Sequence, residues 1–215
     1  MVDDATAGPR QLWERYASRY DRDTSFYDRF LLGDSRRWAC GQAGGDVLEV
    51  AIGTGRNLSF YPRATQLVGV DFSPAMLDQA RRRANQLGRS VTLLEADAQA
   101  LPFEDDSFDS IVCTLSLSSI PEPNVAIREV FRVLRVNGPL LAVGHVASSH
   151  RVVHAGQRLL ERRTLRLVGD HQTRQVHPDI VATGFRVENR EFLRAGVIER
   201  IRAVKPEPAR GRANS

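Results

Sequence analysis

Apolar and polar positions fall into blocks along this chain, and the blocks predict strands and helices in turn. "GGDVLEVAI" is an apolar run behind Gly44 and Gly45 and reads as a buried strand. "QLVGVD", "VTLLEAD", "FDSIVCTL" and "PLLAVGHV" repeat that pattern and predict four more strands. Between them "SPAMLDQARRRANQLG" carries helix punctuation: Ser73 as N-cap, Pro74 at the first helical position and Gly88 just past the end. "PNVAIREVFRVLR" is amphipathic, with Val125, Val130, Val133 and Leu134 expected inward, and it stops near Asn137-Gly138. A short helix is expected from about Arg56, another over residues 152–168 and another in "HPDIVATGF". "FRVENREFL" and "VIERIRAV" read as a closing antiparallel hairpin. Strands alternating with helices predict an α/β fold: a seven-stranded, mostly parallel sheet with helices on both faces.

Upstream of the first strand, "RQLWERYASRYDRDTSFYDRFLL" places Leu12, Trp13, Tyr16 and Tyr20 at helical spacing and predicts one or two short helices. The expected organisation is one domain over residues 11–204, its first part (11–40) a helical lid. Residues 1–10 and 205–215 are polar and rich in Pro, Gly and Ala, and are expected to be loose tails.

Composition narrows this picture only slightly. Of the 215 residues, 42% are hydrophobic and 26% charged, as in ordinary globular proteins. No apolar run approaches the roughly 20 residues that span a bilayer. The N-terminus lacks the charged-then-apolar pattern of a secretory leader. Two unpatterned cysteines, Cys40 and Cys113, fit a reducing compartment, so a cytoplasmic location is expected. The net charge of +4 is carried almost wholly by arginine, Lys205 being the only lysine. The arginines are interleaved with acids and read as solvated helix faces rather than a nucleic-acid patch.

In an open sheet of this kind a ligand sits beyond the C-terminal strand ends. The residues there are 49–57, Asp71, Asp97, 114–119 and His145. A dinucleotide loop needs G-x-G-x-x-G, but Gly53 and Gly55 are followed by Leu58 where the last glycine belongs. A triphosphate loop needs a lysine that is absent, and Glu49 would repel a phosphate. Acids instead suit a cationic ligand. Three successive strands each carry one: Glu49, Asp71, where a carboxylate can accept two ribose hydroxyls, and Asp97, where it can accept from an adenine amino group.

As an ordered set, "EVAIGTG", "VGVDFSPAMLDQA", "EADAQALPFEDDSFDSIVCTLSL" and "IREVFRVLRVNGPLLAVGHV" resemble the class I S-adenosylmethionine-dependent methyltransferases, nearest the branch acting on quinones and phospholipids. The resemblance covers about residues 16–204 and implies a Rossmann-like fold. "VCTLSLSS", "REVFRVLR" and "GHVASS" are also similar to membrane-associated alkyl-thiol methyltransferases. The resemblance implies that Glu49 organises the loop near the methionine ammonium. It makes Ala51, Gly53 and Gly55 the loop backbone, with Ala51 in place of a usual glycine. Asp71 would bind the ribose, Phe72 flank the adenine, Asp97 and Ala98 meet the adenine edge, and Thr114 or Leu115 the methionine end. Tyr16 and Tyr20 resemble a lid over the cofactor. Two features depart from the pattern: "VNGPL" replaces a Pro-Gly-Gly turn, and no counterpart of the thiol subgroup's N-terminal membrane anchor is seen.

Methyl transfer from a sulfonium asks mainly for proximity and a dry site. His145, at the end of the fifth strand, is the candidate general base, the alternative being a structural hydrogen bond. His150 and His154 are candidate pocket residues from the next helix. His171, Asp170 and His177 are too loosely spaced for a metal site, and none is expected. Cys113 reads as a buried side chain rather than a nucleophile. Apolar Leu115, Leu117 and Ile120 with small Ser116, Ser118 and Ser119 favour a small lipophilic acceptor, methylated on sulfur or oxygen. A quinone carbon or a phospholipid amine is the near variant. A nucleotide-dependent oxidoreductase and a non-catalytic, RNA-associated cofactor-binding module are the readings of another class. No nucleic-acid partner and no membrane span are expected.

Overall fold

A computed structural model describes residues 4–168 and 171–208. Seven strands form one sheet: β1 (Asp46–Val50), β2 (Gln66–Asp71), β3 (Thr92–Glu95), β4 (Ser110–Thr114), β5 (Pro139–His145), β6 (Arg186–Leu193) and β7 (Ile198–Val204). Their order is β3-β2-β1-β4-β5-β7-β6. The first five are mutually parallel, while β7 runs antiparallel to both β5 and β6. Strand order reverses between β1 and β4, which opens a crevice beyond their C-terminal ends.

The helices are α1 (Asp4–Tyr27), α2 (Ser35–Cys40), α3 (Pro74–Leu87), α4 (Pro123–Val133), α5 (Arg151–Val168) and α6 (His177–Thr183). One face of the sheet packs on α2 and α3 through Ala39, Cys40, Leu77 and Ala84. The other packs on α4 and α6 through Ile127, Val130, Val133 and Ile180. Covered on both faces, β4 is buried along its whole length, as its continuous apolar run requires. The edge strands β3 and β6 are largely exposed and polar.

The punctuation of α3 forms as read: Ser73 Oγ accepts from Met76 N (3.3 Å), Pro74 leads, and Gly88 closes the helix at φ +58°. Four expectations are corrected. Residues 55–64 make successive turns and no regular helix. In α4, Val125 is only half-buried; Ala126 and Ile127 join Val130 and Val133 inward, because the buried stripe is set by how α4 meets the sheet. Residues 4–10, read as a loose tail, are the first turns of α1, which is one 24-residue helix passing into a π-helical turn, Asp28–Leu32. Arg10 reaches from it to an ion pair with Glu95. At the other end Lys205 is fastened, its Nζ donating to Leu134 O (2.7 Å); residues 209–215 lie outside the described chain. The "VNGPL" turn is made by Asn137 at φ +64°.

Candidate active site

The crevice beyond β1, β2 and β4 is a cleft with about 850 Å³ of empty space, part of it open to solvent. Tyr20, Ala51, Gly53, Asp71, Phe72, Asp97, Ala98, Thr114 and Leu115 all line it. Sequence spacing had set these residues apart by up to 95 positions, and the parallel strands bring them to one rim. Ala51, just past β1, holds φ +52°, and Leu115, just past the neighbouring β4, holds φ +56°. Both are left-handed conformations that cost a side-chain-bearing residue about 1 kcal/mol or more. They turn the chain sharply away from the sheet and so shape the cleft floor.

The two glycines do different work. A Cβ on Gly53 would meet nothing within 4 Å, so its backbone is open to a ligand. A Cβ on Gly55 would lie 2.7 Å from Leu58 and 3.2 Å from Ala80, so Gly55 lets α3 approach the loop and does not line the cleft.

Asp71 is the hub of the rim. Its Oδ2 accepts from Gly53 N (2.9 Å) and its Oδ1 from Ser73 N (2.9 Å), tying the loop to the start of α3. Each oxygen keeps acceptor capacity for a ligand hydroxyl. Burial pushes its carboxyl up to about 6, against the Ser73 and Gly53 hydrogen bonds that lower it. Asp97, half-buried at the end of β3, accepts from Gln99 N (2.9 Å) and faces the same space.

Glu49 lies one layer deeper. It does not line the cleft but supports the loop from beneath, accepting from Asn57 Nδ2 and from the Tyr61 hydroxyl (2.8 Å each). Burial raises its carboxyl to about 7, opposed by those two bonds and by Arg36. Asn57 also donates to Thr114 Oγ1 (2.8 Å), so β1, the loop and β4 share one buried polar network.

Helix α1 presents aromatic side chains to the cleft. Trp13, Tyr16 and Tyr20 of α1 pack edge to face with centroids 5.9–6.1 Å apart, and Trp13 and Tyr20 reach the cleft while Tyr16 does not. Glu14 accepts from Ser73 Oγ (2.8 Å). Asp28 takes Arg36 on both oxygens (3.0 and 3.1 Å) and Arg56 Nε at 2.7 Å. Asp21 accepts from Thr54 Oγ1 (2.7 Å) and pairs with Arg83. Arg36 also donates from Nη1 to Asn57 (2.9 Å) and Thr114 (3.3 Å), which leaves one of its five N–H groups uncommitted among the described residues, at the cleft wall.

Arg36 and Trp13 were not anticipated as site residues, while Thr54 and Arg56 were weighed only as members of the 49–57 loop. Arg36 sits in "SRRWAC", where nothing in the spacing separates it from the surface arginines. Ser116 also lines the cleft, and its buried hydroxyl has no partner among the described residues. Such an orphan costs about 1–3 kcal/mol unless a ligand satisfies it.

His145 does not line the cleft. It is buried at the end of β5 and edges a separate small hollow with Leu117, Val176 and Glu199. His150 is exposed and His154 half-buried, and neither reaches the cleft. His171 Nδ1 lies 3.7 Å from Glu161, and Asp170 is outside the described residues. Among the described residues no three His, Cys, Asp or Glu cluster as a metal site would require. Cys113 is buried in β4, and burial pushes its thiol up to about 12, the reverse of nucleophile activation.

Residues 48–142 match a sequence family described as a methyltransferase domain. A demethylmenaquinone methyltransferase of Deinococcus radiodurans is 32% identical over 171 residues, 74% of this chain and 69% of that enzyme. A phosphatidylethanolamine N-methyltransferase of Cereibacter sphaeroides is 36% identical over 55% of this chain, a stretch that spans 60% of that enzyme's length. The fold is shared with the crystal structure of a SAM-dependent methyltransferase from Thermotoga maritima, with TM-score 0.70, 21% identity and coverage of 92% of this chain and 99% of that one.

Proposed function

Since this chain belongs to the class I S-adenosylmethionine-dependent methyltransferases, we propose that it moves the methyl group to sulfur or oxygen of a small lipophilic acceptor that ionises by itself. The observation that carries this reading is the lining of the cleft beyond Thr114. There Leu115, Ile120 and Pro121 alternate with Ser116 and Ser119, and no histidine or lysine is among the described lining residues.

The residues present fit the cofactor. The space above Gly53 is open, Asp71 and Asp97 supply acceptors for hydroxyl and amino groups, and the unpartnered Ser116 hydroxyl awaits a polar atom. Asp71 would hold the ribose, Asp97 the adenine edge, and the last Arg36 N–H the carboxylate. Once bound, S-adenosylmethionine supplies an electrophilic methyl on a sulfonium, with a thioether leaving group that needs no proton. The chain's part is then alignment and exclusion of water. Trp13 and Tyr20 cover the cleft, while the Leu115 turn fixes its floor.

A thiol with a pKa of about 8.5, or a phenol of about 10, reaches useful anion levels without a strong base. A lipid amine arrives protonated and would need a base, and the described carboxylates of the lining, Asp71 and Asp97, are taken by the cofactor in this reading. The relatives' names favour one second reading, methylation of a quinol ring carbon, because a quinol also ionises unaided. Two buried, unpaired cysteines agree with action in a reducing cytoplasm.

The pH dependence of kcat/KM over thiols and phenols of graded acidity tests the reading. The alkaline limb is expected to move with the acceptor's own pKa. A limb fixed at one pH for every acceptor, and lost in His145→Gln, would return the base role to His145 and overturn the proposal.

A further inference from the structure

Helix α5 is built inside out. Its inward face is polar: buried Gln157 donates from Nε2 to Val146 O and accepts from Ser148 N (2.8 Å each). On the same face Glu161 accepts from Thr173 Oγ1 at 2.8 Å. On the opposite face Val152 is 86% exposed, Leu159 71% and Leu160 47%. Exposed Ala155 and Gly156 lie between them, so the spacing makes one continuous aliphatic stripe. Arg151, Arg158 and Arg162 are exposed and run along one flank. None of the three is in an ion pair among the described residues, and Glu161, the sole acid of α5, is turned inward.

A contiguous apolar face left in water marks an interaction surface. The stripe is aliphatic and convex, with an uncompensated cationic border. A nucleic acid would find no ring to stack on. A second copy packed antiparallel on the stripe across a two-fold axis would bring the two arginine rows together. An anionic bilayer satisfies both features, taking the aliphatics among acyl chains and the guanidiniums at the phosphates. The geometry points to α5 as a peripheral docking helix for anionic membrane surfaces. No described helix is long and apolar enough to cross a membrane, so α5 would lie along the surface.

The helix is also placed to matter. The segment after it clamps the cleft wall, with Arg174 Nη1 donating to Ile120 O (2.6 Å) and His171 N to Ser118 O (3.3 Å). Docking through α5 therefore sets the cleft rim near the lipid.

Co-sedimentation of the full chain with vesicles, without any methyl acceptor, tests this independently of the acceptor reading. Phosphatidylcholine vesicles with and without phosphatidylglycerol are compared at low and high salt. Retention on the anionic vesicles that weakens with salt is expected. Arg151→Gln, Arg158→Gln and Arg162→Gln should each cost about fivefold. Leu159→Asp with Leu160→Asp should abolish retention while thermal melting and S-adenosylhomocysteine affinity stay unchanged. If the aspartates unfold the chain, Leu159→Ser alone should still weaken retention severalfold. Absence of retention on either vesicle, retention indifferent to these changes, or a dimer dissolved by the aspartates would overturn the proposal. So would RNA binding that the arginine changes abolish in place of vesicle binding.

Discussion

Ala51 stands where the resemblance to class I methyltransferases implies a glycine, and the structure gives that departure a physical meaning. Its φ of +52° is a conformation glycine adopts without penalty. Ala51→Gly is therefore expected to stabilise the protein by about 0.5–1 kcal/mol, the strain relieved exceeding the entropy gained by the unfolded chain. Urea unfolding checks this. Glu49 and Asp71 were legible in the sequence because an acid inside an apolar strand, or at its end, is conspicuous. Their division of labour was not, since only the fold shows Asp71 at the surface of the cleft and Glu49 beneath it. Both acids hold their protons more tightly in the folded chain than in the unfolded one. For Glu49 the window runs from its ordinary 4.5 to about 7. Across it the folded state binds the extra proton, so stability should fall as pH rises, and Glu49→Gln should flatten that slope in urea titrations at stepped pH. Asp71 predicts a ligand effect instead: S-adenosylhomocysteine affinity should drop as pH falls through about 6. Calorimetry should find Asp71→Ala weaker by roughly 10- to 100-fold, as loss of charged hydrogen bonds implies.

The elements that periodicity marks most strongly, β1, β2, β4, β5, α3 and α4, all formed where the apolar runs and caps placed them. The segment expected to be a lid was legible only as helical. Its attachment depends on Asp21, Asp28, Arg36, Arg56 and Arg83, which come from α1, the π-helical turn, α2, the glycine loop and α3. No local pattern relates them, because their pairing exists only once the sheet has assembled. The Asp28–Arg36 pair is largely buried, with side chains 14% and 10% exposed. Breaking it leaves Arg36 without its main partner, so Asp28→Ala should cost about 2–4 kcal/mol, near the range for a broken buried pair. It should also speed proteolytic cleavage within α1, and saturating S-adenosylhomocysteine should slow that cleavage again. Equal protease resistance in variant and parent would show that the latch does not hold the lid.

On the scale of the whole molecule, the alternation of strands and helices determined the architecture, and the order of the sheet placed the cleft at its point of reversal. The proposed acceptor end was less legible, because residues 114–121 run through a positive-φ turn at Leu115 and carry no regular periodicity. His145 illustrates the limit: its place at the end of β5 was readable, but only the assembled sheet shows it edging a hollow apart from the cleft. The central claim concerns what that acceptor end receives. Transfer of labelled methyl from S-adenosylmethionine to an alkyl thiol, a phenol, a quinol and an amine of matched apolar size tests it most directly. Label on the sulfur or oxygen of the thiol or phenol, with none on the amine, is the predicted result. Label on the amine alone, or at a rate equal to the thiol, would contradict the account.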